Sequence, residues 1–479
     1  MTLLTSFNQK FTAITADSRE VRPGALFLAY PGVSADGRAY VTQAIQAGAA
    51  AVLWESEAFK WNAAWQVANA GVANLKAMAG QIAAEFYDYP CRKLSMIGVT
   101  GTNGKTSVSQ WIAQALTRLG EKTAVIGTIG NGFVNEQVEA INTTPDAIFL
   151  QRLLAEYALQ DAKAVVMEVS SHGLHQGRVN GVQFDVAVLT NLSRDHLDYH
   201  ETMEDYAAAK QQLFEIQGLR TAVVNADDAF GQQVAATLKA RAKSVLTYGF
   251  GQGDVRGEQL ALYPHGLTMQ VNTPCGIASL HAPVLGRFNA YNVLAVLASL
   301  LASNVGLAEA VAVIGEIKSA PGRMQQFGGD DKPMVVVDYA HTPDALENVL
   351  TTLREQTAGR LICVFGCGGN RDAGKRPLMG AVATKLAHQV VVTSDNPRNE
   401  DPMQIIRQIV AGVTGNYEVE PDRASAIKKA VLMARKEDLV LIAGKGHERY
   451  QEVQNVKIPF DDVAHAKQAL GLSVAEVMK

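Results

Sequence analysis

Gly98-Val-Thr-Gly-Thr-Asn-Gly-Lys-Thr106 is the stretch on which the fold of this chain turns. The apolar run Leu94-Ser-Met-Ile leads into it as a strand. After it, Val108, Trp111, Ile112, Ala115, Leu116 and Leu119 recur at helical spacing on one face, and Gly120 ends the segment. Strand, glycine-rich turn and helix together aim backbone amides and a helix N-terminus at one anion, and glycine lets the turn wrap closely around it. In such a loop Gly101, Thr102, Asn103, Gly104 and Ser107 surround the phosphates of ATP, Lys105 reaches the terminal ones, and the Thr106 hydroxyl offers an oxygen to Mg²⁺. The pattern G-x-x-x-x-G-K-[ST] is met imperfectly: Val99 stands at its first glycine, and Gly98 lies one residue early. An ordinary glycine-rich turn with a solvent-facing lysine is the competing reading. Kinases, motors and switches share such loops, so the loop alone names no reaction.

From Leu94 onward, apolar strands alternate with amphipathic helices, as in LSMIGVT, TAVIGTIG, AKAVVMEVSS, DVAVLTNLS and TAVVNADD. That alternation predicts an α/β fold with a doubly wound, mostly parallel sheet. Upstream, ALFLAY and AAAVLW are short strand-like pieces among alanine-rich helical stretches, ending near Tyr89-Pro90-Cys91-Arg92. The stretch from Asp254 to Leu285 is less helical and predicts a small antiparallel addition. A second series follows Pro321-Gly322, with strands MVVVDYA, RLICVFG, QVVVTSDN and DLVLIAG, and predicts a Rossmann-like domain. At roughly 150 residues per domain the length suits three. The expected boundaries are a small N-terminal α/β domain over 1–90, a central phosphate-loop domain over 91–321 and a C-terminal domain over 322–479. Ligands of such sheets sit beyond the carboxyl ends of the strands, where most of the notable residues fall. Gly366-Cys-Gly-Gly-Asn-Arg371 breaks G-x-G-x-x-G, which argues against a dinucleotide.

The chain is 48% hydrophobic and 19% charged with a formal net charge of -4, a balance that gives no general field for nucleic acid or an anionic membrane. The start, MTLLTSFNQKF, lacks a basic segment followed by a long apolar run, so no signal peptide is expected. No apolar run is long enough to span a bilayer; the longest, Tyr291 to Val305, is broken by Asn292 and Asn304. Four cysteines in so long a chain predict a reducing, cytoplasmic setting, with Cys363 and Cys367 as packing residues.

Thr100-Gly-Thr-Asn-Gly-Lys-Thr106 resembles the signature of the Mur ligase family and its folylpolyglutamate synthase relatives. More segments match in the same order: Glu168-Val-Ser-Ser-His172, Asn191-Leu-Ser-Arg-Asp-His196, Asp338-Tyr-Ala-His341 and Gly444-Lys-Gly-His-Glu448. Ser394-Asp-Asn-Pro-Arg398 and Asn142-Thr-Thr144 look like those of the tripeptide-forming member, which adds meso-diaminopimelate in peptidoglycan synthesis. The resemblance implies that ATP phosphorylates the D-glutamate carboxylate of a UDP-muramoyl dipeptide and that an amine then displaces phosphate. Phosphoryl transfer between anions needs cations to neutralise the growing charge; Lys105 and Mg²⁺ supply it. By resemblance Glu168, His196 and a carbamylated Lys210 hold the metal beside Thr106. His196 and His200 are four apart and on a helix share a face, but HLDYH lacks the glutamate of H-E-x-x-H, so zinc ranks below Mg²⁺ and His200 takes a structural role.

The resemblance also divides the substrates. Ala16, Ser18 and Val33-Ser34-Ala35 contact the uridine end, and Asn142, Thr143, Thr144, Ser170, Gln176 and Arg178 hold pyrophosphate, sugar and peptide. Asn289, Arg323, Asp338 and His341 touch the adenine, ribose or phosphate of ATP, although Asn289 equally suits a helix N-cap. Arg371, Asp395, Asn396, Pro397, Arg398, Gly444 and Glu448 take the incoming amino acid. Lysine and meso-diaminopimelate differ by one carboxylate, so Arg398 is expected to face it and Glu448 the ammonium groups; a surface salt bridge is the alternative for Arg398. The chain is expected to act as a monomer on these small molecules. Competing functions are another ligase of the family, or a nucleotide-driven switch that turns over ATP without co-substrates.

Overall fold

In the N-terminal region, short apolar runs form four parallel strands in sequence order: β1 (Ile14–Thr15), β2 (Leu26–Ala29), β3 (Ala51–Glu55) and β4 (Ala68–Val72). Because side chains alternate along a strand, Leu26 and Leu28 face one core cluster and Phe27 and Ala29 the other. The helix Leu75–Phe86 closes the first cluster with Leu75, Ala79, Ile82 and Ala83, one face at helical spacing. Its start is held from β3: the buried Glu55 carboxylate accepts the amides of Asn74 at 3.2 Å and Leu75 at 2.8 Å. The computed structural model describes residues 3–32, 35–263, 265–329 and 331–472.

By contacts the chain divides into two compact units: Met1–Arg256 with Thr273–Gly276 and Leu294–Ala310, and Gly257–Asn272 with Ile277–Val293 and Val311–Lys479. The first unit continues with β5 (Ser95–Thr100), β6 (Thr123–Ile126), β7 (Asn131–Phe133), β8 (Ala164–Glu168), β9 (Val186–Leu189), β10 (Thr221–Asn225) and β11 (Val245–Gly249). Their order is β11-β10-β9-β5-β8-β6-β7, parallel throughout except that β7 runs against β6. Chain order reverses at β5, which has β9 on one side and β8 on the other. The loop leaving β5 therefore opens at a topological switch point, where open α/β sheets bind ligands.

Next in the chain, β12 (Val255–Tyr263), β13 (Gly266–Thr273) and β14 (Gly276–Ala282), most of whose residues belong to the second unit, are successive neighbours. Connections of two residues leave them only an antiparallel arrangement, since parallel neighbours need a long crossover. Then come β15 (Gln325–Gly328), β16 (Met334–Asp338), β17 (Leu361–Phe365), β18 (Gln389–Val392), β19 (Tyr417–Val419) and β20 (Leu439–Ala443), in the order β15-β16-β20-β17-β18-β19, with only β15 antiparallel. Val336, Cys363, Phe365 and Leu441 enter one core cluster, and Val335, Val337, Ile362, Val364 and Val440 the opposite one. Burial on both faces is what a doubly wound sheet requires. Cys363 and Cys367 are buried packing residues, and burial pushes both thiols up to about 12. A hairpin, β21 (Tyr450–Val453) and β22 (Val456–Pro459), turns at Gln454 and Asn455, both left-handed. No helix among the described residues is long and apolar enough to cross a membrane.

Candidate active site

β5 ends in the phosphate loop. Gly101 (φ 147°) and Gly104 (φ 85°) adopt backbone conformations that side chains disfavour, and a Cβ on Gly101 would lie 1.8 Å from Thr190 Oγ1. The end of β9 fixes the loop from beside it: the Asn103 amide donates to Asn191 Oδ1 at 3.0 Å, and Thr190 Oγ1 donates to Asn103 O at 2.6 Å. Lys105 opens the helix Lys105–Arg118, and its Nζ donates to Gly101 O (2.9 Å) and Thr102 O (2.8 Å).

The next residue meets β8. Thr106 Oγ1 donates to Glu168 Oε2 at 2.9 Å, and Glu168, the last residue of β8, is 1% exposed. Its other contacts come from Thr128, whose amide donates to Oε1 (2.9 Å) and whose hydroxyl donates to Oε2 (3.1 Å). Thr128 Oγ1 is 3.0 Å from Thr143 Oγ1. Thr144 Oγ1 donates to the Glu168 carbonyl at 2.9 Å and accepts the Ser170 amide at 3.0 Å. Ser170 Oγ caps the helix Ser171–His175 by accepting the Gly173 amide. Arg178 donates through one terminal nitrogen to Thr144 O (2.8 Å), and through Nε and the other to Gln176 Oε1 (3.0 and 2.7 Å). Five of the expected substrate-binding residues thus form one network continuous with Glu168, with Asn142 exposed at its edge.

Lys210, on the helix Met203–Glu215, is 1% exposed and donates to the same Gly101 carbonyl at 2.8 Å, its Nζ lying 4.4 Å from the Tyr206 ring centroid. Burial, and then the neighbouring Lys105 ammonium, hold its pKa well below the ordinary lysine value. The histidines depart from the expected shared helical face. His196 is a left-handed N-cap (φ 54°) to the single turn Leu197–His200. The His196 ring is exposed, 4.9 Å from His172 and 6.0 Å from Tyr206 between centroids. His200 is buried, with Nε2 2.9 Å from Ser171 Oγ, in the structural role expected of it. Among the described residues no group of three or more His, Cys, Asp or Glu is gathered for a metal. Thr106 and Glu168 are brought together, and the donor set is hard oxygen, which suits Mg²⁺.

At the other expected subsites, Ser18 Oγ donates to Gln43 Oε1 at 3.1 Å, Ala16 packs against the N-terminal core and the Ala35 carbonyl accepts the Gly32 amide at 2.8 Å. Val33 and Ser34 lie outside the described residues.

In the second unit, Asp338 ends β16 and accepts the amides of Met324 and Ala340, both at 2.8 Å. Burial raises its pKa against the opposing effect of Arg323. The Arg323 guanidinium lies 4.6 Å from the Tyr339 ring centroid, and the His341 ring 4.7 Å from it. Asn289, on the helix Arg287–Ala302, is buried, and its side-chain amide donates to Leu285 O just before that helix (2.8 Å) and accepts from Asn292 within it (2.9 Å). The loops after β18 and β20 meet: Asn396 Nδ2 donates to Glu448 Oε2 (2.8 Å), and Asn396 Oδ1 accepts from Lys445 Nζ (2.9 Å). A Cβ on Gly444 would lie 2.6 Å from Asp395 Oδ2. Arg398, left-handed at φ 51°, pairs with Glu452 through Nε at 2.9 Å and donates to Gly369 O at 2.8 Å. Arg371 is exposed.

Three family models match this chain: "Mur ligase family, catalytic domain" over residues 10–87, "Mur ligase middle domain" over 99–300 and "Mur ligase, glutamate ligase domain" over 322–446. The chain belongs to the Mur ligase family. A UDP-N-acetylmuramoyl-L-alanyl-D-glutamate–2,6-diaminopimelate ligase from Chromobacterium violaceum is 53% identical, covering 98% of this chain and 96% of that one. The ligase of the same name from Nitrosomonas europaea is 49% identical over 98% and 94%. A solved structure under that name superposes with a TM-score of 0.75 at 38% identity, covering 97% of this chain and 95% of its own. A folylpolyglutamate synthase from Mycobacterium tuberculosis, solved with ADP and AMPPCP, shares the fold with a TM-score of 0.63 at 19% identity, over 77% and 92%.

Several parts of this Mur ligase site had no sequence signal. Thr128, which holds both oxygens of Glu168, stands in an unremarkable Gly127-Thr-Ile segment. The Tyr199 hydroxyl accepts from Gln176 Nε2 (3.0 Å) and is 2.9 Å from His175 Nδ1. Arg376 reaches both oxygens of Glu400 at 2.9 and 3.0 Å, bracing the Gly368 and Arg398 loops. Arg423 and Asp462, both fully buried, form a two-point pair at 2.7 Å, and Arg423 also donates to Ala443 O at the end of β20. Charged residues on amphipathic helices look solvated from sequence alone; only the fold buries these.

Proposed function

We propose that the chain is the ATP-dependent ligase that joins meso-diaminopimelate to the D-glutamate carboxylate of UDP-N-acetylmuramoyl-L-alanyl-D-glutamate in peptidoglycan synthesis. The observation that carries this reading is the likeness, over nearly the whole chain, to relatives bearing that ligase's name. The three regions 1–90, 91–321 and 322–479 divide the work, binding the UDP-sugar, ATP and the incoming amino acid; the protein works in the cytoplasm as a monomer.

A carboxylate oxygen of the dipeptide attacks the terminal phosphorus of ATP, ADP leaves, and an acyl phosphate forms. The amine attacks the acyl carbon and loses its proton, and phosphate departs with the former carboxylate oxygen. Lys105, now folded onto the carbonyls of its own loop, turns to the phosphates when nucleotide enters. Lys210 is the nucleophile of a separate event. Burial and the neighbouring Lys105 together hold its pKa well below the ordinary lysine value, and its amine in the neutral form adds to CO₂, forming an N–C bond and releasing a proton to leave a carbamate. Thr106, Glu168, His196 and that carbamate would hold Mg²⁺, which supplies charge neutralisation for phosphoryl transfer when bound. The Gln176–Arg178 arm holds the pyrophosphate and peptide of the UDP substrate, since arginine meets such anions in a fork. Arg371, Asp395, Asn396, Pro397, Arg398, Gly444 and Glu448 receive the amino acid. Arg398 offers meso-diaminopimelate a charge-assisted two-point contact for its distal carboxylate that lysine lacks.

Product mass spectrometry with the UDP-dipeptide, ATP and either meso-diaminopimelate or L-lysine tests the proposal. The expected product is the diaminopimelate tripeptide, with ADP release needing both co-substrates. ADP release without either co-substrate would favour the switch instead.

A further inference from the structure

Arg398 does not stand alone in its loop. Its Nε–H donates to Glu452 Oε2 at 2.9 Å, one terminal nitrogen donates to Gly369 O at 2.8 Å, and its backbone amide donates to Glu452 O at 2.9 Å. Its carbonyl accepts the Gln454 amide at 2.7 Å, and the Glu452 amide donates to Asn396 Oδ1 at 2.9 Å. The hairpin β21–β22 thus grips both main chain and side chain of the residue, beyond the 322–446 span of the family's C-terminal model. A left-handed backbone on a residue as large as arginine is strained and persists only where its surroundings hold it.

A guanidinium has five N–H groups. Glu452 and Gly369 take two of Arg398's, and no other partner for its guanidinium occurs among the described residues. The remaining donors include both hydrogens of the second terminal nitrogen, which with its neighbour forms the end-on edge used for two-point carboxylate binding. Gly368 leaves room for this pose, since a Cβ there would lie 3.0 Å from Arg398's bound terminal nitrogen. The pair is half-buried, at 20% and 24% side-chain exposure, so Arg398 carries its own countercharge.

We propose that Glu452 is a positioning residue for amino-acid specificity: by holding the Nε edge of Arg398 it turns the opposite edge toward the distal carboxylate of the incoming diamino acid. The inference rests on the assignment of Arg398 to that carboxylate. Glu452 touches no reacting atom, so its effect lies in the KM for the amino acid and in substrate preference.

The test compares Glu452→Met, which keeps volume but removes the acceptor, with Glu452→Gln, whose amide oxygen still accepts from Nε–H, and with Arg398→Ala. Expected for Glu452→Met are a KM for meso-diaminopimelate raised roughly tenfold or more, a reduced preference over L-lysine, and kcat and the KM for ATP within about twofold of the parent. Glu452→Gln is expected to restore most of the KM. Arg398→Ala losing the preference while Glu452→Met keeps KM and preference overturns the role of Glu452 alone. Arg398→Ala keeping the preference overturns the Arg398 assignment beneath it. Should Glu452→Met fail to fold, Glu452→Gln decides through an added arm, Glu452→Lys, in which a cation facing Arg398 is expected to abolish the preference; retention of the preference there overturns the proposal.

Discussion

Replacing Lys210 by alanine removes a side chain that is 1% exposed and whose nitrogen shares the Gly101 carbonyl with Lys105, at 2.8 and 2.9 Å. Burial, and then repulsion from the Lys105 ammonium on the same acceptor, lower the pKa of Lys210 and favour the neutral amine, the form that captures CO₂. If the carbamate supports the metal, its loss removes one anionic group from the phosphoryl-transfer site. Losses of single preorganised electrostatic groups cost about 10²–10³ in rate, or ~2.7–4 kcal/mol. Lys210→Ala is therefore expected to lose kcat by that factor, and acetate, which fits the vacated space and restores a carboxylate, to recover part of it. The assay is ADP release with saturating substrates, with and without acetate, beside intact mass of the parent protein for one added CO₂. Full activity of Lys210→Ala without rescue refutes the reasoning. The same burial fixes a pH effect in CO₂-free buffer. Because the folded pKa is depressed, the unfolded chain binds the extra proton between that value and about 10.4. Stability therefore rises with pH across that window, by up to ~1.4 kcal/mol per unit, and Lys210→Met abolishes this slope.

Thr106→Val deletes the donor to Glu168 and an oxygen for the metal; kcat is expected to fall about 10²-fold with the KM for the amino acid unchanged, read by steady-state kinetics. Asp462→Asn or Arg423→Met breaks a fully buried ion pair and is expected to destabilise the C-terminal domain by about 3–5 kcal/mol, measured by denaturant titration; a loss below ~1 kcal/mol counts against the pair as a structural tie. Alkylation of native protein at mildly alkaline pH is expected to label Cys275 alone, because it is exposed while burial raises the thiols of Cys91, Cys363 and Cys367; peptide mapping checks it.

What the sequence made legible follows from local rules. The strand, loop and helix around Lys105 are encoded within a few residues, so the phosphate loop and its helical face could be read directly. Glu168 could be placed because it ends an apolar strand, and strand ends are where α/β sites lie; Asp338 is marked by the family resemblance alone. The partner relations were not legible, because they join residues far apart in sequence. Thr128 with Glu168, Tyr199 with Gln176, and Glu452 with Arg398 depend on loop register, which no period reports. The spacing of His196 and His200 misled for the same reason: a left-handed residue at His196 breaks the helical geometry that the spacing assumed. The partners of the Asn289 amide, Leu285 O and Asn292, were likewise not legible, although each lies within four residues of it.

The most direct test of the central claim follows the carboxylate oxygen. UDP-dipeptide carrying ¹⁸O in the D-glutamate side-chain carboxylate, turned over with ATP and meso-diaminopimelate, is expected to release phosphate bearing one ¹⁸O for each amide formed. Amide formation accompanied only by unlabelled phosphate would contradict an acid group activated by transfer from the nucleotide at the Lys105 loop.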